Sequence, residues 1–107
     1  MLTINHQNEK NLLECFFTGR LDTMASEEMH PTLNHELTNL QKSNPDFDQS
    51  KIVFDLKEVD YIASSFIRIC MKTAKQVPQG NFSIVNCNPF VKKTFKIAGL
   101  DETLNIH

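Results

Sequence analysis

Two short runs of β-branched and aromatic residues, at positions 51–56 and 81–85, are each followed by a segment whose apolar residues recur at helical spacing. Such runs, bounded by polar residues, are typical of buried strands. A chain that alternates buried strands with amphipathic helices is expected to fold as a sheet with helices packed on it. This alternation constrains the fold more than any other feature of the sequence.

The amino-terminal part predicts a hairpin followed by a helix. Residues 2–4 and 12–17 are predicted strands, joined by a polar turn at 6–11. Further on, four apolar residues recur every three or four positions and predict one face of a helix: Met29, Leu33, Leu37 and Leu40. Pro31 lies within this stripe and removes a helical donor, so we expect a kink or a restart of the helix there. A short turn over 23–29 followed by a helix that begins near Pro31 satisfies both signals. The polar stretch 43–50 is expected to end that helix.

The rest of the chain predicts two more helices and a last strand. One helix follows Ser64 and Ser65 and runs to about residue 77. Another covers residues 89–98, with Asn88 as its cap and Gly99 as its left-handed terminator. Residues 103–106 are a predicted edge strand. The expected fold is α/β, with one mixed sheet and the order β-β-α-β-α-β-α-β, in a single domain over 1–107.

Charge and composition exclude several classes of protein. The chain of 107 residues has a formal net charge of -2 and no basic stripe, so nucleic-acid binding through phosphate neutralisation is not expected. Apolar runs are far shorter than the roughly 20 residues of a membrane span, and the amino terminus lacks the pattern of a secretory signal. We therefore expect a cytoplasmic protein without membrane insertion.

The side chains that commonly bind metals or catalyse reactions are dispersed. The three cysteines are far apart and form no CxxC motif, and His30 and His35 are five residues apart, which does not place them on one helix face. Ser65 is not in a G-x-S-x-G elbow, no histidine is close to it in the chain or in an expected neighbouring loop, and no Gly-rich phosphate loop is present. We expect no metal, no cofactor and no enzymatic activity.

Three separated segments carry a resemblance to a known family. Residues 17–23 are similar to a G-x-L-D turn before the first helix, residues 52–65 to a central strand that leads into a D-S-S-G switch loop, and residues 82–101 to a last strand and helix. In this order and spacing the chain resembles the STAS family, the domain shared by sulphate transporters and bacterial anti-sigma-factor antagonists. The resemblance extends over almost the whole chain.

The resemblance implies a cytoplasmic antagonist that binds an anti-sigma factor, often a serine kinase of the histidine-kinase-like ATPase group. The kinase would phosphorylate one serine at the start of the second helix and so end the interaction, and a phosphatase would restore it. Carried over by position, the acceptor is Ser65, with Ser64 as second choice, and Asp22 matches a position on the same partner-binding face.

This chain departs from the family pattern on both sides of the serine pair. Ala63 stands where the family has aspartate, and Phe66 where glycine commonly follows. We expect the Phe66 ring to point outward as an apolar anchor for the partner. The predicted contact surface therefore consists of Asp22, Asp60, Ser64, Ser65 and Phe66.

A phosphate at this position also has a physical rationale. The unpaired N–H groups and positive dipole end of a helix start favour an anion. A phosphoserine would add about -1.5 to -2 charges beside Asp60 and repel a partner. Two alternatives stay open: that the serine merely caps the helix, and that the chain is a non-phosphorylated accessory subunit of a transport or signalling complex.

Overall fold

The computed structural model describes residues 1–7, 11–43 and 50–107, and this part contains four strands and three helices. The strands are β1 (Leu2–Gln7), β2 (Leu12–Leu21), β3 (Lys51–Ile62) and β4 (Phe82–Val85). The helices are α1 (Thr23–Ser43), α2 (Ser64–Ala74) and α3 (Pro89–Ile97). The strands form one sheet in the order β1-β2-β3-β4, with β1 antiparallel to β2 and the other pairs parallel. The predicted mixed α/β sheet is confirmed.

The amino-terminal hairpin is longer than predicted. β1 pairs with β2 from Leu2 opposite Phe17 to Gln7 opposite Leu12. Alternate residues of β2 are buried from Leu13 to Phe17, so one face of the strand packs into the core. The central part of the predicted turn, residues 8–10, lies outside the described residues.

α1 is continuous through Pro31, so the predicted helix start near this proline is wrong. The helix begins at Thr23, and Pro31 lies on its exposed side. An interior proline costs about 3 kcal/mol, but the stripe of apolar residues on the opposite side is buried, and each fully buried side chain of this kind contributes roughly 1.5–3 kcal/mol. These residues are Met29, Leu33, Leu37 and Leu40. The predicted polar connection after the helix lies mostly outside the described residues.

β3 is twice as long as the predicted strand and leaves one residue before α2. It continues past the exposed Lys57 and Glu58 to Val59 and Ile62, which are buried. Its pairing with β2 shifts register in this region, and the shift returns apolar side chains to the core side. Residues 57–62, expected to connect the strand to the helix, are therefore the end of β3, and the positions likened to the switch loop are Ala63 and the first turn of α2.

The ends of α3 match the prediction. The Asn88 side chain accepts a hydrogen bond of 2.8 Å from the Val91 N–H and caps the helix. Gly99 has a φ of 75°, its N–H donates to the Lys96 carbonyl, and the Leu100 N–H donates to the Phe95 carbonyl. This pattern is a Schellman motif, which requires a left-handed residue at this position.

Replacing Asn88 by alanine is expected to lower the free energy of unfolding by about 1–2 kcal/mol. The change removes the cap, and it also removes the bond of 2.9 Å that the Asn88 amide donates to the Val59 carbonyl of β3. Urea denaturation followed by circular dichroism measures the loss. Asn34→Ala, on the exposed side of α1, is the control and should change stability by less than about 0.5 kcal/mol. Equal losses in the two variants would contradict this role of Asn88.

The predicted last strand, residues 103–106, does not form. Residues 101–105 are turns, and Ile106 makes a single parallel bridge to Ile84 of β4. Asn105 has a φ of 52°, a left-handed conformation that an extended strand cannot contain. The observed order is therefore β-β-α-β-α-β-α.

Candidate functional site

The ends of β2 and β3 lie side by side and bring the predicted site residues to one edge of the sheet. Leu21 pairs with Ile62, and the Ala63 N–H donates to the Leu21 carbonyl at 2.9 Å. α1 follows β2 after Asp22, and α2 follows β3 after Ala63. We call residues 21–22 and 62–65 the junction, because both parallel strands pass into their helices there.

Asp22 caps the first helix at this junction. Its Oδ1 accepts a hydrogen bond of 2.9 Å from the Ala25 N–H, so the carboxylate caps α1. The residue is half-buried. Asp22 is thus held in one orientation at the predicted partner-binding face.

The two serines open α2 without capping it. The cap position is Ala63, which makes no side-chain hydrogen bond to the helix, and Ser64 is the first helical residue. The alternative that a serine merely caps the helix is therefore wrong. Ser64 is exposed, whereas the Ser65 Oγ is buried and has no hydrogen-bond partner among the described residues.

Phe66 is not the outward anchor that the sequence suggested. Its side chain is 0% exposed, and its ring packs edge-on against Phe17 with 5.1 Å between centroids. With one residue between β3 and α2, the third helical position lies over the sheet, where the Phe17 and Phe54 rings complete an aromatic cluster. A glycine at this position would leave that space unfilled.

Asp60 is exposed on β3, four residues before Ser64, and its carboxylate makes no hydrogen bond or ion pair with a described residue. The next residue, Tyr61, packs its ring under the Arg20 guanidinium, at 3.9 Å from the ring centroid. Strand pairing thus brings Asp22 and the two serines to one edge of the sheet, and Asp60 lies near the end of β3, before the serines in the chain.

The structure also places residues near Ser65 that the sequence reasoning missed. Ser26 and His30 of α1 and Arg68 and Lys72 of α2 line the same pocket as Ser65. The signal was present in the sequence, because residues three and seven positions after Ser65 lie on one helix face. His30 lines this pocket from α1, so it is nearer to Ser65 than its position in the chain indicated. An activated serine nucleophile requires a hydrogen bond to its base. The Ser65 Oγ makes no such bond to His30.

Burial keeps the three cysteines protonated. Burial raises the pKa of the Cys15 thiol to about 12 and that of the Cys70 thiol well above its usual range. The half-buried Cys87 has a pKa of about 11, raised mainly by burial. Within residues 1–7, 11–43 and 50–107, no group of three or more His, Cys, Asp or Glu side chains could hold a metal ion. No helix of this described part is long and apolar enough to cross a membrane.

Alkylation of the native protein with iodoacetamide is expected to be slow at all three cysteines. The pKa of Cys87 is raised from the usual 9.0 to about 11, which lowers its thiolate fraction at neutral pH about a hundredfold and slows the reaction, because the thiolate is the nucleophile. Because thiolate forms as the pH rises, the Cys87 rate should increase about tenfold per pH unit up to its pKa. Mass spectrometry of peptides gives the rates, and the unfolded protein in urea is the reference. A native Cys87 that reacts as fast as in urea would refute the burial effect.

Comparison with known proteins agrees with this architecture. The family model of the STAS domain matches residues 4–107. A curated relative, BtrV of Bordetella bronchiseptica, which is named as an anti-sigma factor antagonist, is 36% identical over 56 residues. That match covers 50% of this chain and about half, 48%, of the relative's length.

Solved structures share the fold at low sequence identity. An anti-sigma-factor antagonist (STAS) domain protein from Planctomyces limnophilus superposes with a TM-score of 0.79 at 20% identity, over 99% of this chain and 87% of that one. The Bacillus cell fate determinant SpoIIAA in its phosphorylated form gives a TM-score of 0.64 at 13% identity, over 100% and 91% of the two chains. The family match over nearly all of the sequence, together with the order of strands and helices, shows that the chain belongs to the STAS domain family.

Proposed function

We propose that this protein is an anti-sigma-factor antagonist that acts by partner switching at the junction. Its partner would be an anti-sigma factor, in particular a serine kinase of the ATPase type, and a phosphatase would reverse the modification. The observation that carries the proposal is that Ser64 and Ser65 open α2 while the capping position is Ala63. Neither hydroxyl is used to cap the helix: that of Ser64 is exposed, and that of Ser65 is buried without a hydrogen-bond partner among the described residues.

The electrostatics of the junction support a switch. The amino end of α2 carries the positive end of the helix dipole and stabilises a phosphate there. A phosphoserine adds about -1.5 to -2 charges close to Asp22 and Asp60, where a bound partner would have to be desolvated. The added charge would weaken the contact by repulsion and by the cost of removing water from the phosphate.

Ser65 is the proposed acceptor, and Ser64 the second choice. Ser65 stands at the family position of the acceptor, but its Oγ is buried, so a kinase must turn this side chain outward or open the first turn of α2. Ser64 is exposed and needs no such movement. The proposed partner-binding surface is Asp22, Asp60, Ser64 and Ser65. Phe66 supports this surface from the core.

We propose further that the protein acts in the cytoplasm by binding and not by catalysis. The raised pKa of Cys70 and the absence of a hydrogen-bonded base at Ser65 among the described residues leave neither side chain activated as a nucleophile.

Mass spectrometry of the tagged full chain, purified from cells that make it naturally, tests the proposal. We expect phosphate on Ser65 or Ser64 and co-purification of an ATPase-type serine kinase that phosphorylates the recombinant chain with ATP. The Ser64→Ala and Ser65→Ala variants identify the acceptor, since only one of them should lose the modification. Co-purification of a transporter ATPase, with no phosphate on either serine, would overturn the proposal in favour of an accessory subunit.

A further inference from the structure

A pocket of about 170 Å³, lined by polar residues and by the carbon atoms of their side chains, lies between α1 and α2. Its lining comes from the first turns of both helices and the residues that follow them along the facing sides. These residues are Ser26, Glu27 and His30 of α1 and Ser65, Arg68, Ile69 and Lys72 of α2. Only one of the seven is apolar, which is unusual for the space between two helices packed on a common core.

Two hydroxyls in the wall of this pocket lack hydrogen-bond partners. Ser26 is 1% exposed, and its Oγ and the Ser65 Oγ are both buried without a partner among the described residues. An unsatisfied buried hydroxyl costs about 1–3 kcal/mol. One such hydroxyl comes from each helix, and a side-chain rotation that turns it into the pocket would let a bound hydrogen-bond acceptor satisfy it.

The charges around the pocket favour an anion. Arg68 and Lys72 are cationic and face only one carboxylate of the lining, Glu27, and neither forms an ion pair with a described residue. The amino ends of α1 and α2 both lie at this pocket, since Ser26 is in the first turn of α1 and Ser65 in that of α2. The Asp22 carboxylate already caps α1 and opposes its dipole, so the positive end that stays uncompensated is that of α2. The cap position of α2 supplies no side-chain acceptor to offset this field.

We propose that the α1–α2 pocket is a binding site for a small tetrahedral oxyanion of the phosphate class. The hydroxyls of Ser26 and Ser65 donate to its oxygens, and the Arg68 guanidinium supplies the charged hydrogen bonds. Because both Oγ atoms are closed to solvent, entry of the ion requires rotation of the Ser65 side chain or a small separation of the two helices. A bound ion would cover Ser65 and so slow its modification, a consequence that rests on the proposed function, whereas the binding itself does not.

Titration of the full chain with inorganic phosphate, at constant ionic strength and followed by amide NMR spectra, tests the binding. We expect saturable shifts at millimolar phosphate, confined to the residues that line the pocket, and sulfate should compete. Arg68→Gln should weaken the affinity about tenfold, because one charge-assisted hydrogen bond contributes about that much. Ser26→Ala should weaken it severalfold. Lys93→Gln, the same loss of charge on the exposed side of α3, is the matched control and should bind as the natural chain does.

Shifts that do not saturate, that spread over the lysines of α3, or that persist unchanged in Arg68→Gln would overturn the site and indicate unspecific ion association. If Ser26→Ala fails to fold, Lys72→Gln gives the second test, since Lys72 is exposed on α2. The titration contains no partner protein, so a negative result would overturn the phosphate site without contradicting the proposed partner binding at the junction. Conversely, phosphate binding with no kinase partner would separate the site from the proposed function.

Discussion

Phe66→Ala is expected to lower the free energy of unfolding by about 3–5 kcal/mol. The ring is fully buried and lies edge-on to Phe17 and within 6.2 Å, centroid to centroid, of Phe54. Alanine would lose the burial of the ring, the favourable edge-to-face geometry and the packing of its neighbours around the space it leaves. Urea denaturation followed by fluorescence of Tyr61 or by circular dichroism measures the change.

Phe90→Ala is the matched control for this loss. Phe90 is 61% exposed at the start of α3, so its truncation should change stability by less than about 0.5 kcal/mol. If Phe66→Ala cost less than about 1 kcal/mol, or no more than Phe90→Ala, the ring would not be a core residue. It could then be reconsidered as a contact for a partner.

A single negative charge at the start of α2 is expected to weaken binding of the kinase-type partner about thirtyfold. This factor corresponds to the loss of about 2 kcal/mol of binding free energy, as for one important interface contact. Ser64→Asp places the charge on an exposed residue at the first helical position, where an acidic side chain stabilises the helix. Its effect on partner binding should therefore be separate from any loss of stability. Calorimetric titration with the purified partner gives the affinity.

Ser64→Asn and Ser65→Asn are the controls, since asparagine has the shape of aspartate without its charge. Ser65→Asp places its carboxylate in the wall of the pocket that Arg68 and Lys72 line, so its free energy of unfolding must be measured beside its affinity. Aspartate variants that bind as tightly as their asparagine counterparts would show that charge at the junction does not control the partner.

The candidate site could be predicted in its position but not in its geometry. The order of strands and helices placed Asp22 and the serine pair after two neighbouring strands, and the ends of parallel strands meet at one edge of a sheet. The sequence did not indicate that β3 continues to Ile62, because Lys57 and Glu58 interrupt its apolar pattern. Two predictions at the site were wrong for this reason: residues 57–62 were expected to be a loop, and Phe66 was expected to point outward.

By itself, the sequence determined the class of fold, the hairpin, the caps of α3 and the location of the serine pair, because periodicity, cap residues and turn residues act over a few neighbouring positions. Only the tertiary structure decided how the alternation of strands and helices is realised. Burial of the apolar stripe from Met29 to Leu40 keeps α1 continuous through Pro31, and Phe66 packs into the aromatic cluster of the core. The sheet also brings the first turns of α1 and α2 together, which places Ser26 and Ser65 on one pocket. Contacts between residues far apart in the chain are set by three-dimensional packing, and no local pattern reports them.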